Sequence, residues 1–178
     1  MGTRVIVRRE FVVRGVVQGV GFRPHVARLA NALTLVGTCR NDATCVVIEV
    51  QGESEDIETF ADRLVSQAPP MARIMSVDAR AVAAQQDSDF TIDSSSSAAG
   101  VRTLVPPDTA VCADCLTEFN DPTDRRYRHP FITCTNCGPR LTITLDLPYD
   151  RPVTTMAGFA MCAACQREYV DPTDRRYH

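Results

Sequence analysis

From residue 8 to residue 18 hydrophobic and polar positions alternate, and the stretch is rich in valine around Phe11, Val13 and Val16, which predicts a first strand. The period then lengthens. Val26, Leu29, Ala30 and Leu33 recur at helical spacing, so a helix is expected from about Pro24, which can serve as its first residue, to Leu35, ending near Gly37. Residues 37 to 41 and Cys45 to Gln51 read as a second and third strand, joined by a turn at Asn41-Asp42-Ala43-Thr44. Ile57, Phe60, Ala61 and Leu64 mark one face of a second helix from about Ser54, its expected N-cap, to Gln67, where Pro69-Pro70 stops it. Strands near Ile74 to Val82 and Phe90 to Ile92 close the unit. The order β-α-β-β-α-β predicts an α+β, ferredoxin-like sandwich with one sheet face under two helices, and about 90 residues suffice for such a core.

Beyond residue 93 the pattern changes. Asp93 to Gly100 is serine- and alanine-rich, and Pro106-Pro107 implies extended chain, so residues 94–110 are expected to link residues 1–93 to the C-terminal part of the chain. From there the chain repeats itself at an offset of 50 residues: Cys112-Ala113-Asp114-Cys115 returns as Cys162-Ala163-Ala164-Cys165, and Asp121 to Tyr127 returns unchanged as Asp171 to Tyr177. Cys134 and Cys137 complete the first copy. With 18 residues between the inner cysteines, CxxC-x18-CxxC supplies four thiolates for a tetrahedral, structural Zn2+. Two modules are expected on this basis: a four-cysteine zinc finger over residues 111–150 and the start of a second, with Cys162 and Cys165 as ligands, over residues 151–178. The partners of Cys162 and Cys165 would fall at positions 184 and 187, past the last residue, so the chain is expected to be a fragment of a longer protein. Its second finger should then be frayed, or complete its metal site with another chain, with His178 as a weak substitute ligand.

Composition narrows the function classes. A net charge of -3 over 178 residues argues against a general polyanion binder. No apolar run reaches the about 18 residues of a membrane span, and Arg4, Arg8, Arg9 and Glu10 interrupt any signal peptide. Six of the eight cysteines fall in CxxC pairs, which favours metal ligands in a reducing compartment; a soluble, cytoplasmic protein is expected. The group Arg125, Arg126, Arg128 and His129 reads as a solvated face or an interdomain contact rather than a nucleic-acid surface. Tyr127 is expected against the cysteine knuckle.

The candidate chemistry lies between the first strand and the first helix. Glycines at 15, 19 and 21 remove Cβ atoms that would keep a backbone from closing around an anion, and Arg23 adds a guanidinium at a positive helix end. Plain tight turns also use glycines in this way, so the loop alone leaves a structural role open. His25 reads as a partly exposed helix residue, and Cys39 and Cys45 as reduced strand thiols that flank the Asn41 turn and face each other across the hairpin.

The run Val17-Gln18-Gly19-Val20-Gly21-Phe22-Arg23-Pro24, followed by a helix and then Gly37-Thr38-Cys39-Arg40-Asn41-Asp42, resembles the acylphosphatase signature. The resemblance implies that Gln18, Gly19, Val20, Gly21, Phe22 and Arg23 bind phosphate, that Arg23 holds the phosphoryl group and that Asn41 orients the attacking water. Many acylphosphatases carry glycine in the turn after that asparagine, where this chain has Asp42-Ala43-Thr44. Together with the cysteine modules, Cys134-Thr135-Asn136-Cys137-Gly138-Pro139-Arg140 and Tyr149-Asp150-Arg151-Pro152-Val153-Thr154-Thr155-Met156 are similar to the N-terminal part of the HypF family, carbamoyltransferases of NiFe-hydrogenase maturation. That resemblance implies hydrolysis of carbamoyl phosphate to carbamate. In the family, domains absent from this chain then use ATP to activate the carbamate for transfer to a HypE-type partner, in cyanide ligand synthesis. The competing reading is an anion-binding and zinc-finger interaction module without turnover of its own.

Overall fold

A central strand, β1 (Ile6–Val16), carries the alternation into three dimensions: Phe11 and Val13 are fully covered while Arg14 is exposed. The structure is a computed structural model that describes residues 5–42, 44–93, 109–146 and 151–177. Residues 94–108 of the expected linker, Tyr149-Asp150 and His178 lie outside the described residues.

The sheet contains β2 (Val36–Asn41), β3 (Cys45–Glu53), β4 (Arg73–Val82) and β5 (Phe90–Ile92) in the order β4-β1-β3-β2-β5. All pairings are antiparallel except β2 with β5. Register fixes which residues share a face. Phe11 and Cys39 both lie opposite Ile48, and Val13 and Asn41 both lie opposite Val46. On this face pack α1 (Phe22–Ala32), through Phe22, Val26, Leu29 and Ala30, and α2 (Ser54–Ser66), through Ile57, Phe60 and Leu64. The rings of Phe11 and Phe60 meet at 5.7 Å. The other face is polar and ion-paired, with Arg8 held by Glu49 and Asp87 and Glu10 held by Arg80.

Several local expectations change. Helix α1 starts at Phe22 with Gly21 as N-cap, so Pro24 is its third residue rather than its first. It ends at Ala32, before Gly37, because Thr34 turns the chain with φ 55 and Leu35 N–H returns to the Ala30 carbonyl at 2.9 Å. The N-cap of α2 is Glu53, not Ser54: β3 stays extended to Glu53 and enters the helix directly, with Glu55 and Asp56 complementing the first-turn dipole. Cys39 and Cys45 do not face each other, since Cys39 pairs with Ile48 on the core face while Cys45 pairs with Arg14. His25 is buried, with 9% of its surface exposed, because α1 turns it toward Phe22 and α2.

The duplicated sequence yields duplicated structure. Helices α3 (Ala113–Asn120) and α4 (Ala163–Val170) follow Cys112 and Cys162, whose backbones are nearly identical (φ -70, ψ 162 and φ -68, ψ 161). Each is followed by the same pair of turns. Asp121 accepts from Thr123 N–H at 2.8 Å as Asp171 does from Thr173, and Asp124 accepts from Arg126 N–H at 2.7 Å as Asp174 does from Arg176. The second copy therefore carries the same helix and turns as the first. Tyr127 is 40% exposed beneath Arg128 instead of lying on the knuckle, while its counterpart Tyr177 is 7% exposed at the junction with the sheet unit.

Candidate active site and cysteine cluster

The glycine loop leaves β1 and enters α1 through two left-handed residues, Gly19 (φ 67) and Gly21 (φ 73). Val17, Val20 and Phe22 send their side chains into the core, which leaves the loop's backbone, rather than its side chains, to line its outer surface. No side chain caps α1 and no acidic residue stands in its first turn, so the positive helix end is not neutralised locally. Arg23 occupies the second helical position. The first helical bond is His25 N–H to the Gly21 carbonyl, at 3.1 Å, and Pro24 has no N–H to offer.

Gln18 does not turn outward. It is 7% exposed, and its Nε2 donates to the carbonyls of Asp42 at 2.7 Å and Cys45 at 3.1 Å. Loop and β2–β3 turn are thereby tied next to the strand end of Asn41. Asn41 is 2% exposed; its Oδ1 accepts no hydrogen bond among the described residues, although the residue takes part in another interaction. Beneath them Cys39 is fully buried and its thiol is pushed up to about 12 by desolvation, with Arg23 pulling the other way. That thiol stays protonated at neutral pH. Burial, and then Arg28, lower the pKa of His25, so its ring is neutral and core-like.

The first cysteine set is fully assembled. The Sγ atoms of Cys112, Cys115, Cys134 and Cys137 lie within 4.8 Å of one another, with neighbouring pairs at 3.6 Å (Cys112 to Cys134) and 3.9 Å (Cys134 to Cys137 and Cys115 to Cys137). A tetrahedron with Zn–S bonds of about 2.3 Å has edges of about 3.8 Å, so the donor set fits a four-thiolate metal site. Two guanidiniums complete it: Arg140 Nη2 donates to Cys137 Sγ at 3.2 Å and Arg175 Nη1 to Cys115 Sγ at 3.1 Å. Four thiolates around a dication leave two net negative charges, and two arginines offset them. Sequence reasoning missed Arg140 and Arg175 as sulfur partners, although one lies three residues past the second CxxC and the other lies in the repeated motif. Cys162 and Cys165 do not join any such cluster among the described residues.

The two copies clasp each other reciprocally. Arg125 and Arg126 pair with Glu168, and fifty positions away in each case Arg175 and Arg176 pair with Glu118. Of the two readings open for the Arg125 group, a solvated face or an interdomain contact, the contact is the one found for Arg125 and Arg126, which pair across the two copies. Between the clasped copies and the glycine loop lies a cavity of about 220 Å³, with Gly19, Gly21 and Arg23 on one wall and His129, Thr135 and Tyr177 among the residues opposite.

Residues 9–92 match the family described as Acylphosphatase, and residues 111–144 and 161–178 match the HypF finger. An acylphosphatase of Clostridium perfringens is 36% identical over 89 residues, which cover 90% of that protein and 49% of this chain. The chain belongs to the acylphosphatase family. It is also similar to carbamoyltransferase HypF2 of Cupriavidus necator, at 54% identity over 155 residues, 86% of this chain and 19% of that protein. The crystal structure of full-length HypF in the phosphate- and nucleotide-bound form matches it with a TM-score of 0.89 and 46% identity, over 99% of this chain and 23% of that one. An acylphosphatase domain followed by a HypF finger thus reproduces the N-terminal region of HypF. The chain spans about a fifth of the length of these HypF relatives. Among the described residues no helix is long and apolar enough to cross a membrane.

Proposed function

We propose that the loop Gln18–Arg23 and Asn41 form an acyl-phosphate hydrolysis site whose substrate is carbamoyl phosphate. The observation that carries this reading is the tie from Gln18 to Asp42, which holds a loop suited to phosphate beside the strand end that presents Asn41. The HypF relatives are carbamoyltransferases, and this supports the choice of a carbamoyl group.

The chemistry asks for positioning and charge stabilisation. Backbone N–H groups of the loop and the Arg23 guanidinium hold the phosphoryl oxygens, over which the transition state spreads its charge. Asn41 has an amide donor and a carbonyl acceptor, enough to place a water in line with phosphorus. The water oxygen bonds to phosphorus, the P–O bond to the carbamoyl carbon's oxygen breaks, and carbamate leaves with the electron pair. The water's proton passes to phosphate or solvent. Carbamate is a weakly basic leaving group and needs no strong general acid. Cys112, Cys115, Cys134 and Cys137 would hold Zn2+, which ties the four thiolates into one structural unit and leaves no open coordination position. In the longer protein the carbamate would pass to ATP-dependent carbamoyl transfer toward a HypE-type acceptor for NiFe-hydrogenase maturation, in the cytoplasm.

Phosphate release from carbamoyl phosphate by this chain, beside Arg23→Ala and Asn41→Ala, tests the reading. Loss of turnover in both variants, with the sheet still folded, is expected; equal turnover in all three would defeat it.

A further inference from the structure

We propose that the knuckle Cys134–Cys137 is a positioning element of the glycine loop, so that metal held by the four cysteines and anion held by the loop are energetically coupled. The inference rests on the loop being the anion site.

Thr135 sits between two of the four thiolates and touches the loop. A Cβ built on Gly21 would lie 2.7 Å from Thr135 Cβ and 3.1 Å from its carbonyl oxygen. Gly21 is the N-cap of α1, with φ 73, so the contact falls on the residue that sets the direction of the first helical N–H groups. One step away, a Cβ on Gly138 would lie 3.7 Å from the Gly19 carbonyl oxygen, so the knuckle's exit packs along the same loop. Its other side is braced. Thr135 N–H donates to the Arg175 carbonyl at 2.8 Å, and Gly138 N–H to that of Cys134 at 3.0 Å.

The loop depends on this wall for a physical reason. Its two glycines permit many backbone conformations, and α1 has no side-chain cap to select one. The loop is anchored from within by Gln18 and by its buried apolar side chains; from outside, the knuckle closes on Gly19 and Gly21. The knuckle in turn depends on metal, because thiolates gathered within 4.8 Å repel one another unless a cation joins them. Loss of the metal therefore releases Thr135 and Gly138 from the loop. Linkage is reciprocal, so an anion in the loop must tighten metal binding by the same factor.

The test uses the whole chain and inorganic phosphate. Its affinity is measured by calorimetry with zinc bound and after chelation, while amide exchange follows β1 and β3. Chelation should weaken phosphate binding roughly tenfold or more with the sheet still protected, and phosphate should raise zinc affinity in a chelator competition by the same factor. Thr135→Gly, which keeps all four thiols, should bind zinc as the parent does but bind phosphate several-fold more weakly, and it keeps the test decisive should chelation unfold the sheet. Unchanged phosphate affinity in Thr135→Gly, or zinc affinity indifferent to phosphate, overturns the coupling. Arg23→Ala separates the two readings: if it binds phosphate as tightly as the parent, the loop is not the anion site and the proposed function falls with the coupling. If binding depends on Arg23 but not on Thr135 or zinc, the coupling alone falls.

Discussion

Gln18 reaches across 24 residues of chain to donate its side-chain amide to the carbonyl of Asp42 at 2.7 Å. The same nitrogen also serves Cys45, at 3.1 Å. A buried amide here does what a shorter β2–β3 turn could not: it fixes the distance between the glycine loop and the end of β2. Gln18→Ala leaves the Asp42 carbonyl without this donor, at a cost of about 1–3 kcal/mol where it stays dry, while the Cys45 carbonyl still accepts from Asp42 N–H at 2.9 Å. Turnover of an acyl phosphate should fall about tenfold to a hundredfold, since small displacements of positioned groups are costly to catalysis. Steady-state kinetics beside a thermal melt checks this; a variant with the same loss of stability but parent-like turnover would mean that the tie does not position the site.

Gly21→Ala should be damaging twice over. Its φ of 73 places an alanine in the left-handed region, at about 1–2 kcal/mol, and the new methyl would meet Thr135. Combining it with Thr135→Gly removes the collision but not the backbone cost. Stability of the double variant should therefore recover only in part, as read by denaturant unfolding.

Glu118 gathers Arg175 and Arg176, and Glu168 gathers Arg125 and Arg126. Charge-assisted bonds of this kind contribute about 1.5–3 kcal/mol each when partly buried. Glu118→Ala should loosen the turn at 171–177 and, through the Arg175 carbonyl, speed amide exchange at Thr135. Glu168→Ala should act on the 121–127 turn instead. Exchange mass spectrometry that found the two variants indistinguishable would contradict the reciprocal clasp.

Much of the sheet unit is legible in sequence because its signals are local and periodic. Alternation marks β1, and Ile57, Phe60 and Leu64 mark the buried face of α2. Boundaries are harder. Nothing local says that Thr34 would adopt φ 55 and end α1 early, or that Glu53 would stay extended and take the N-cap from Ser54. The four-thiolate set is readable from spacing, since a CxxC turn fixes two ligands wherever it occurs. Arg140 and Arg175 as its charge partners are not, because each is brought to the sulfurs by tertiary packing. Gln18 reads from sequence as one more loop residue beside phosphate; only the path of the β2–β3 hairpin turns it inward.

Histidine burial gives the unit a mild acid sensitivity. Burial lowers the pKa of His25 below its ordinary 6.5. A group with a lowered folded-state pKa leaves the unfolded chain holding more protons between the two values. Stability is therefore full above pH 6.5 and declines as pH falls below it toward the folded-state pKa. Chemical denaturation across this range should show the decline, and His25→Gln should flatten it; an unchanged slope in that variant would assign the sensitivity elsewhere.

The site's chemistry is tested most directly by hydrolysing carbamoyl phosphate in oxygen-18 water, with the uncatalysed background subtracted. Water placed by Asn41 to attack phosphorus predicts one heavy oxygen in each phosphate released, at a rate that collapses in Arg23→Ala and Asn41→Ala. Enzyme-dependent phosphate without the label would mean attack at carbon, and label released equally fast by both variants would mean that the chemistry happens somewhere other than this loop.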